Sequence, residues 1–110
     1  MNDYPVKLDA ALIRDFQERG FAVTPSGFSA AELERYSTAV DAEVAMRTSD
    51  DQRQLADKSR YEQSFVQCMR LWETNDVVRD LTCAPGLAGI AAQLLETEGV
   101  RLWQDQALYK

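Results

Sequence analysis

The chain closes on Gly99-Val100-Arg101-Leu102-Trp103-Gln104-Asp105-Gln106-Ala107-Leu108-Tyr109-Lys110, a segment that reads as a β-strand with no turn, cap or polar tail after it. A strand needs ladder partners for its backbone N–H and C=O groups. Almost everything upstream has helical spacing, so the sheet to which this strand belongs is missing from the sequence. The expectation is the front portion of a larger domain. A second feature narrows the chemistry: the chain has no histidine. It therefore lacks the commonest metal ligand and the commonest general base.

Composition excludes several classes. With 18 acidic and 12 basic residues the net charge is −6, and no Lys/Arg cluster stands out. Such a chain is a poor ligand for nucleic acid or an anionic membrane. No apolar run is long enough to span a bilayer. The start, Met1-Asn2-Asp3-Tyr4-Pro5, has neither the basic nor the apolar region of a signal peptide, so a cytoplasmic location is expected. Cys68 and Cys83 are expected to be two small buried hydrophobes in a reducing compartment. Two thiols alone make no zinc site, and no histidine is present to activate either.

Local signals divide the chain. Asp9 is placed as an N-cap, with Leu8 and Ile13 as a hydrophobic staple and Gly20 as the stop. Phe21-Ala22-Val23-Thr24 predicts a short strand closed by Pro25. Ser29-Ala30-Ala31-Glu32 has the form of a capping box, and Leu33, Tyr36, Val40 and Val44 predict a helix running to about Arg47. Thr48 to Arg60 is polar and charged apart from Leu55 and Ala56, and predicts a surface loop or a frayed helix end with no function assigned. Phe65, Met69 and Trp72 predict a third helix, and Val77, Val78 and Leu81 a short one beginning near Asn75. Pro85 suits a first helical position; Leu87, Ile90, Ala91, Leu94 and Leu95 form the stripe of a last helix that Gly99 breaks. The tryptophans Trp72 and Trp103 are expected in the core. The acid pairs Asp50-Asp51 and Asp76…Asp80 are expected to be solvated.

The predicted class is α+β, mostly helical, with about four helices, a short early strand and a C-terminal strand. It divides into a helical region, about 8–98, and a final strand, about 99–110.

Three stretches carry a resemblance. Phe16-Gln17-Glu18-Arg19-Gly20-Phe21-Ala22-Val23 resembles an opening "F-x-x-x-G-F-x-V". Phe65-Val66-Gln67-Cys68-Met69-Arg70-Leu71-Trp72-Glu73 resembles a "Q-x-x-N-L-W" helix, with Met69-Arg70 departing at the asparagine. Leu81 to Tyr109 resembles "P-x-L-A-x-x-A-x-x-L" leading to "R-L-W-x-D-Q-A-L-Y-K". Together they resemble the N-terminal part of the phytanoyl-CoA dioxygenase family of non-haem Fe(II), 2-oxoglutarate-dependent oxygenases. That resemblance implies the opening part of a double-stranded β-helix, of the jelly-roll or cupin kind. It implies Fe(II) and 2-oxoglutarate as cofactors of the complete enzyme, which would hydroxylate a small organic substrate. The iron site of such enzymes is a two-histidine, one-carboxylate triad. A chain without histidine cannot supply it, so no catalytic residue or metal ligand is assigned, and the chain alone is expected to be inactive and to bind neither cofactor.

One family position remains. Lys110 matches the lysine that helps bind 2-oxoglutarate in the family. Strand alternation puts Leu108, Gln106, Gln104 and Leu102 on the face of Lys110, and Arg101, Trp103, Asp105, Ala107 and Tyr109 on the other, where Trp103 and Tyr109 would meet the helices. Lys110 and Gln106 are the candidate co-substrate residues. The implied partners are the remainder of the oxygenase domain, or a complementary chain, and a small-molecule substrate. Two other readings stay open: a stand-alone helical interaction module or truncated homologue that pairs with another chain, and a metal-free binder of organic acids.

Overall fold

Asp9 opens the first helix. Its carboxylate accepts the Leu12 N–H at 2.8 Å, one of the donors that the first turn cannot satisfy itself. Helix α1 (Ala10–Arg19) ends at Gly20, which is left-handed at φ 85° and returns its N–H to the Phe16 carbonyl. The computed structural model describes residues 6–110. They divide into two compact units, one of residues 6–29 and 83–102, the other of residues 30–82 and 103–110.

The first unit is built on α1 and α5 (Pro85–Leu95). Pro85 takes the first helical position, where its missing N–H costs nothing. Helix α5 buries Gly89, Ile90 and Ala92, and α1 contributes the half-buried Leu12, Ile13 and Phe16. The Gln93 side chain clamps the approach to α1: its Nε2 donates to the Val6 carbonyl at 2.8 Å and its Oε1 accepts the Leu8 N–H at 2.9 Å. Helix α5 stops at Leu95, ahead of the Gly99 expected to break it. Glu96 turns left-handed and gives its N–H to the carbonyls of Ala92 and Gln93. The early strand expected over Phe21–Thr24 does not form. No described strand pairs with it, an unpaired strand is not stable alone, and Val23 is left 86% exposed.

The second unit holds α2 (Ala30–Thr48), α3 (Arg60–Ser64), β1 (Val66–Met69), α4 (Asp76–Thr82) and β2 (Gln106–Tyr109). Strands β1 and β2 pair antiparallel, with Val66 opposite Tyr109, Gln67 opposite Leu108, Cys68 opposite Ala107 and Met69 opposite Gln106. Val44, Cys68, Leu71 and Val78 form the core, with Ala39, Val40 and Ala107 packed against it. Helix α4 begins where expected, capped by the Asn75 Oδ1, which accepts the N–H groups of Val77 at 3.0 Å and Val78 at 3.1 Å.

The third helix expected from Phe65, Met69 and Trp72 is absent. Residues 66–69 are strand, and Leu71–Glu73 is a single 3-10 turn. Ladder bonds to β2 override a four-and-three spacing that a helix would share. The final strand is also shorter than its sequence suggests, since β1 offers a ladder only for residues 106–109. The described residues are α+β: four α-helices of seven residues or more, the short α3, and one two-stranded antiparallel sheet. No helix among the described residues is long and apolar enough to cross a membrane.

Candidate functional site

Strand β2 presents two different faces. On one side Ala107 packs on the core, and the Tyr109 hydroxyl donates to the Asp41 carboxylate on α2. That hydrogen bond, with burial and the Asp41 charge behind it, pushes the Tyr109 phenol above its ordinary value. Asp105, just before the strand, points the same way. Its carboxylate accepts the N–H groups of Leu71 at 2.8 Å and Trp72 at 3.1 Å and the Thr82 hydroxyl at 2.9 Å. Its backbone carbonyl takes the Arg70 N–H at 3.0 Å. One aspartate thus caps the 3-10 turn and ties it to α4 and β2.

The other face is open. Gln106 and Leu108 are exposed there beside Gln67 and Met69 of β1. The Gln67 Nε2 donates to the Gln106 Oε1 at 2.8 Å. With its oxygen engaged, the Gln106 amide presents its NH2 group as a donor. Lys110 is exposed directly after the strand, and the alternation of β2 assigns it to the Gln106 and Leu108 face. Continuing the register by one residue sets Lys110 opposite Phe65. The two candidate residues therefore share a face, and Gln67 joins them. Sequence reasoning missed Gln67 because it lay inside the presumed third helix.

Two tryptophan expectations resolve differently. Trp72 is half-buried, with the Arg79 guanidinium 5.1 Å from its ring centroid. Trp103 is 90% exposed and packs on no helix, because the ladder begins only at Gln106. Of the cysteines, Cys68 is buried as expected, whereas Cys83 is exposed beyond the end of α4; both are free thiols. Asp51 is bound by Arg53, and Asp80 by Arg35 at 3.0 Å.

A second cluster fixes the turn that follows β1. Glu43 on α2 is buried and accepts from Arg47 Nε at 3.1 Å, from the Thr74 hydroxyl and from Asn75 Nδ2 at 3.5 Å. Arg47 in turn donates to the carbonyls of Met69 and Arg70 and to Thr74 Oγ1. The Thr74 bond, helped by Arg47 and Asn75, outweighs burial and holds the Glu43 carboxyl below its ordinary value. The cluster is fully satisfied internally, and its role is to hold the turn against α2.

Arg70, in that turn, is left-handed at φ 58° and ψ 42°. This is also the position at which the sequence departs from the asparagine of the "Q-x-x-N-L-W" pattern. Asparagine tolerates left-handed backbone better than arginine does. Arg70→Asn is expected to raise stability by about 0.5 kcal/mol, a fraction of the left-handed penalty, measured as a higher urea midpoint at unchanged slope. A lower midpoint would mean that the arginine side chain stabilises the turn by more than its backbone costs.

Comparison with protein-family models, with curated proteins and with solved structures finds no match to this chain.

Proposed function

We propose that this chain is the opening segment of a phytanoyl-CoA-dioxygenase-like oxygenase, with β2 as the first strand of its double-stranded β-helix and Lys110 and Gln106 on the 2-oxoglutarate. The observation that carries the reading is the asymmetry of β2. Its Asp105, Ala107 and Tyr109 side is tied to helices and turn, while its Gln106 and Leu108 side lies open. A first barrel strand backed by helices would have this form, with its interior face waiting for the rest of the sheet. The left-handed Arg70 at the asparagine position of the motif supports the same reading.

The iron site does not fit on these residues. The chain has no histidine, and no group of three His, Cys, Asp or Glu side chains among the described residues could hold a metal. Iron chemistry is therefore assigned to none of them. The co-substrate fits in part. 2-Oxoglutarate supplies a carboxylate that an ammonium and an amide NH2 can bind together. Lys110 would provide the charge, and Gln106, oriented by Gln67, the directed donor.

In a protein that carries the remaining barrel, Lys110→Met keeps much of the aliphatic stem and removes the charge. A charge-assisted hydrogen bond to a carboxylate in a cavity contributes about 2 kcal/mol, so 2-oxoglutarate should bind roughly thirtyfold more weakly. Gln106→Leu should lose less. Calorimetric titration with 2-oxoglutarate, with a thermal melt as control, measures both. Unchanged affinity in Lys110→Met would remove the lysine from the site and take the proposed role of the strand with it.

A further inference from the structure

Among the described residues, strand β2 has β1 on one side and no strand on the other. In an antiparallel pair, opposite residues alternate between those that exchange backbone hydrogen bonds and those whose N–H and C=O point away from the partner strand. The Arg70 N–H donates to the Asp105 carbonyl at 3.0 Å, and that pair continues the register of Met69 opposite Gln106. The bonded pairs are therefore Arg70 with Asp105, Cys68 with Ala107 and Val66 with Tyr109. Gln67 and Met69 on β1, and Gln106 and Leu108 on β2, turn their backbone groups outward. Arg47 agrees with this phase: it donates to the outward Met69 carbonyl, and so occupies the β1 edge. Along the β2 edge no described residue pairs with the N–H or C=O of Gln106 or Leu108.

Two cavities, of about 150 and 270 Å³, lie along the same strand. Both are lined by Val40 of α2 and Leu81 of α4, and neither by a residue of β1. The smaller continues to Thr82 and Ala107, the larger to Leu33, Tyr36 and Tyr109. Through Val40 and Leu81 they join into one groove that follows β2 on its helix side, with walls that are chiefly aliphatic and aromatic. The unpaired backbone groups suit another strand about 4.8 Å away. Alternate side chains of that strand, those set opposite Ala107 and Tyr109, would enter the groove.

We propose that the outer edge of β2 accepts a strand from a second, different chain: an extended segment with apolar side chains at alternate positions and basic residues beside them. The free N–H and C=O groups of Gln106 and Leu108 specify the extended backbone. The groove specifies the alternation. The net charge of −6, with Asp41 in the groove wall, specifies the basic flanks. A second copy of this chain does not meet these terms. Each copy carries −6, and on the helix side its β2 offers Asp105 and Tyr109, both bonded within their own copy, and Ala107, too short to fill the groove. The site is the edge of β2, whereas the oxygenase reading concerns its open face, so either can fail without the other.

Hydrogen exchange on the whole chain is the test. In the free chain the Ala107 and Tyr109 amides, bonded to β1, should exchange slowly, and those of Gln106 and Leu108 fast. The probe is the peptide acetyl-Lys-Val-Thr-Leu-Thr-Val-Lys-amide. At about 1 mM it should slow the Gln106 and Leu108 amides several-fold. The peptide acetyl-Lys-Val-Leu-Thr-Thr-Val-Lys-amide has the same composition without the alternation. It should bind roughly tenfold more weakly, the order expected for one apolar side chain left unburied. Leu108→Pro removes an outward N–H and no bond to β1, a place where a strand tolerates proline. It should abolish the slowing at Gln106 with the thermal melt little changed. Leu33→Asp alters the groove at an exposed position near the start of α2, where an acidic residue suits the helix, and should weaken the alternating peptide by a similar factor. No slowing by the peptide at about 1 mM, or equal slowing in Leu108→Pro, would overturn the site. Equal binding of the two peptides, or full binding to Leu33→Asp, would overturn the part of the groove. Slow Gln106 and Leu108 amides in the free monomer would overturn the open edge, and slowing that appears as the chain associates with itself would overturn the choice of a different partner.

Discussion

Glu43→Ala should lower the unfolding free energy by about 3 kcal/mol, within the range for removing one partner of a buried charge pair. Glu43 is only 4% exposed and meets three donors. Its removal leaves Arg47, Thr74 and Asn75 with donors pointing at a void. Arg47 keeps its bonds to the Met69 and Arg70 carbonyls, which holds the loss to the lower end of that range. Glu43→Gln keeps the shape and some of the hydrogen bonds and should lose less. Acid provides a second measurement of the same cluster. The folded-state value of Glu43 lies below its ordinary 4.5. The charged form is therefore the one that stabilises the fold. Its contribution is complete above pH 4.5 and is lost as the pH falls from there through the folded value. Urea melts across that window should show the gap between the unaltered chain and Glu43→Gln closing as acid is added. A gap that stays constant with pH would mean that the glutamate acts through packing alone.

Asp105→Ala should cost a similar amount, about 3 kcal/mol, since it leaves two backbone donors and a hydroxyl unpaired at roughly 1–3 kcal/mol for each buried group. The Leu71 N–H is the decisive one, because Leu71 is the most buried large side chain of the unit at 2% exposure. Asp105→Asn retains an acceptor oxygen in place and should recover about half of the loss. The bond from the Arg70 N–H to the Asp105 backbone carbonyl persists in either variant. A chemical melt reports the loss, and a change in the near-ultraviolet dichroism of Trp72 reports where it occurs. A loss below about 1 kcal/mol, the size of one ordinary net hydrogen bond, would mean that water reaches the turn and replaces the carboxylate.

These two residues mark the boundary between what local chemistry decides and what it does not. The helix ends were legible. Asp9 and Gly20 around α1, Asn75 before α4 and Pro85 at the start of α5 act on backbone groups within a few residues of themselves, so their signal is contained in the segment that it shapes. The opposed faces of β2 were legible too, because alternation is a property of the strand alone, and it assigned Gln106 and Lys110 to one face and Asp105 and Tyr109 to the other. It did not reach to Trp103, which precedes the ladder and points into solvent. Phe65, Met69 and Trp72 fit a helix as well as they fit a strand followed by a turn. Only the pairing of Val66–Met69 with Gln106–Tyr109, about 40 residues away in the chain, chose between them. Phe21–Thr24 failed for the complementary reason: a strand-like composition found no neighbour to pair with among the described residues. The roles of Glu43, Gln67 and Asp105 were not legible, since each rests on a partner more than 30 residues away: Thr74, Gln106 and Leu71 respectively. A cap is a local bond and can be read locally, whereas a ladder or a buried carboxylate gains its energy from groups that meet only after the chain has folded.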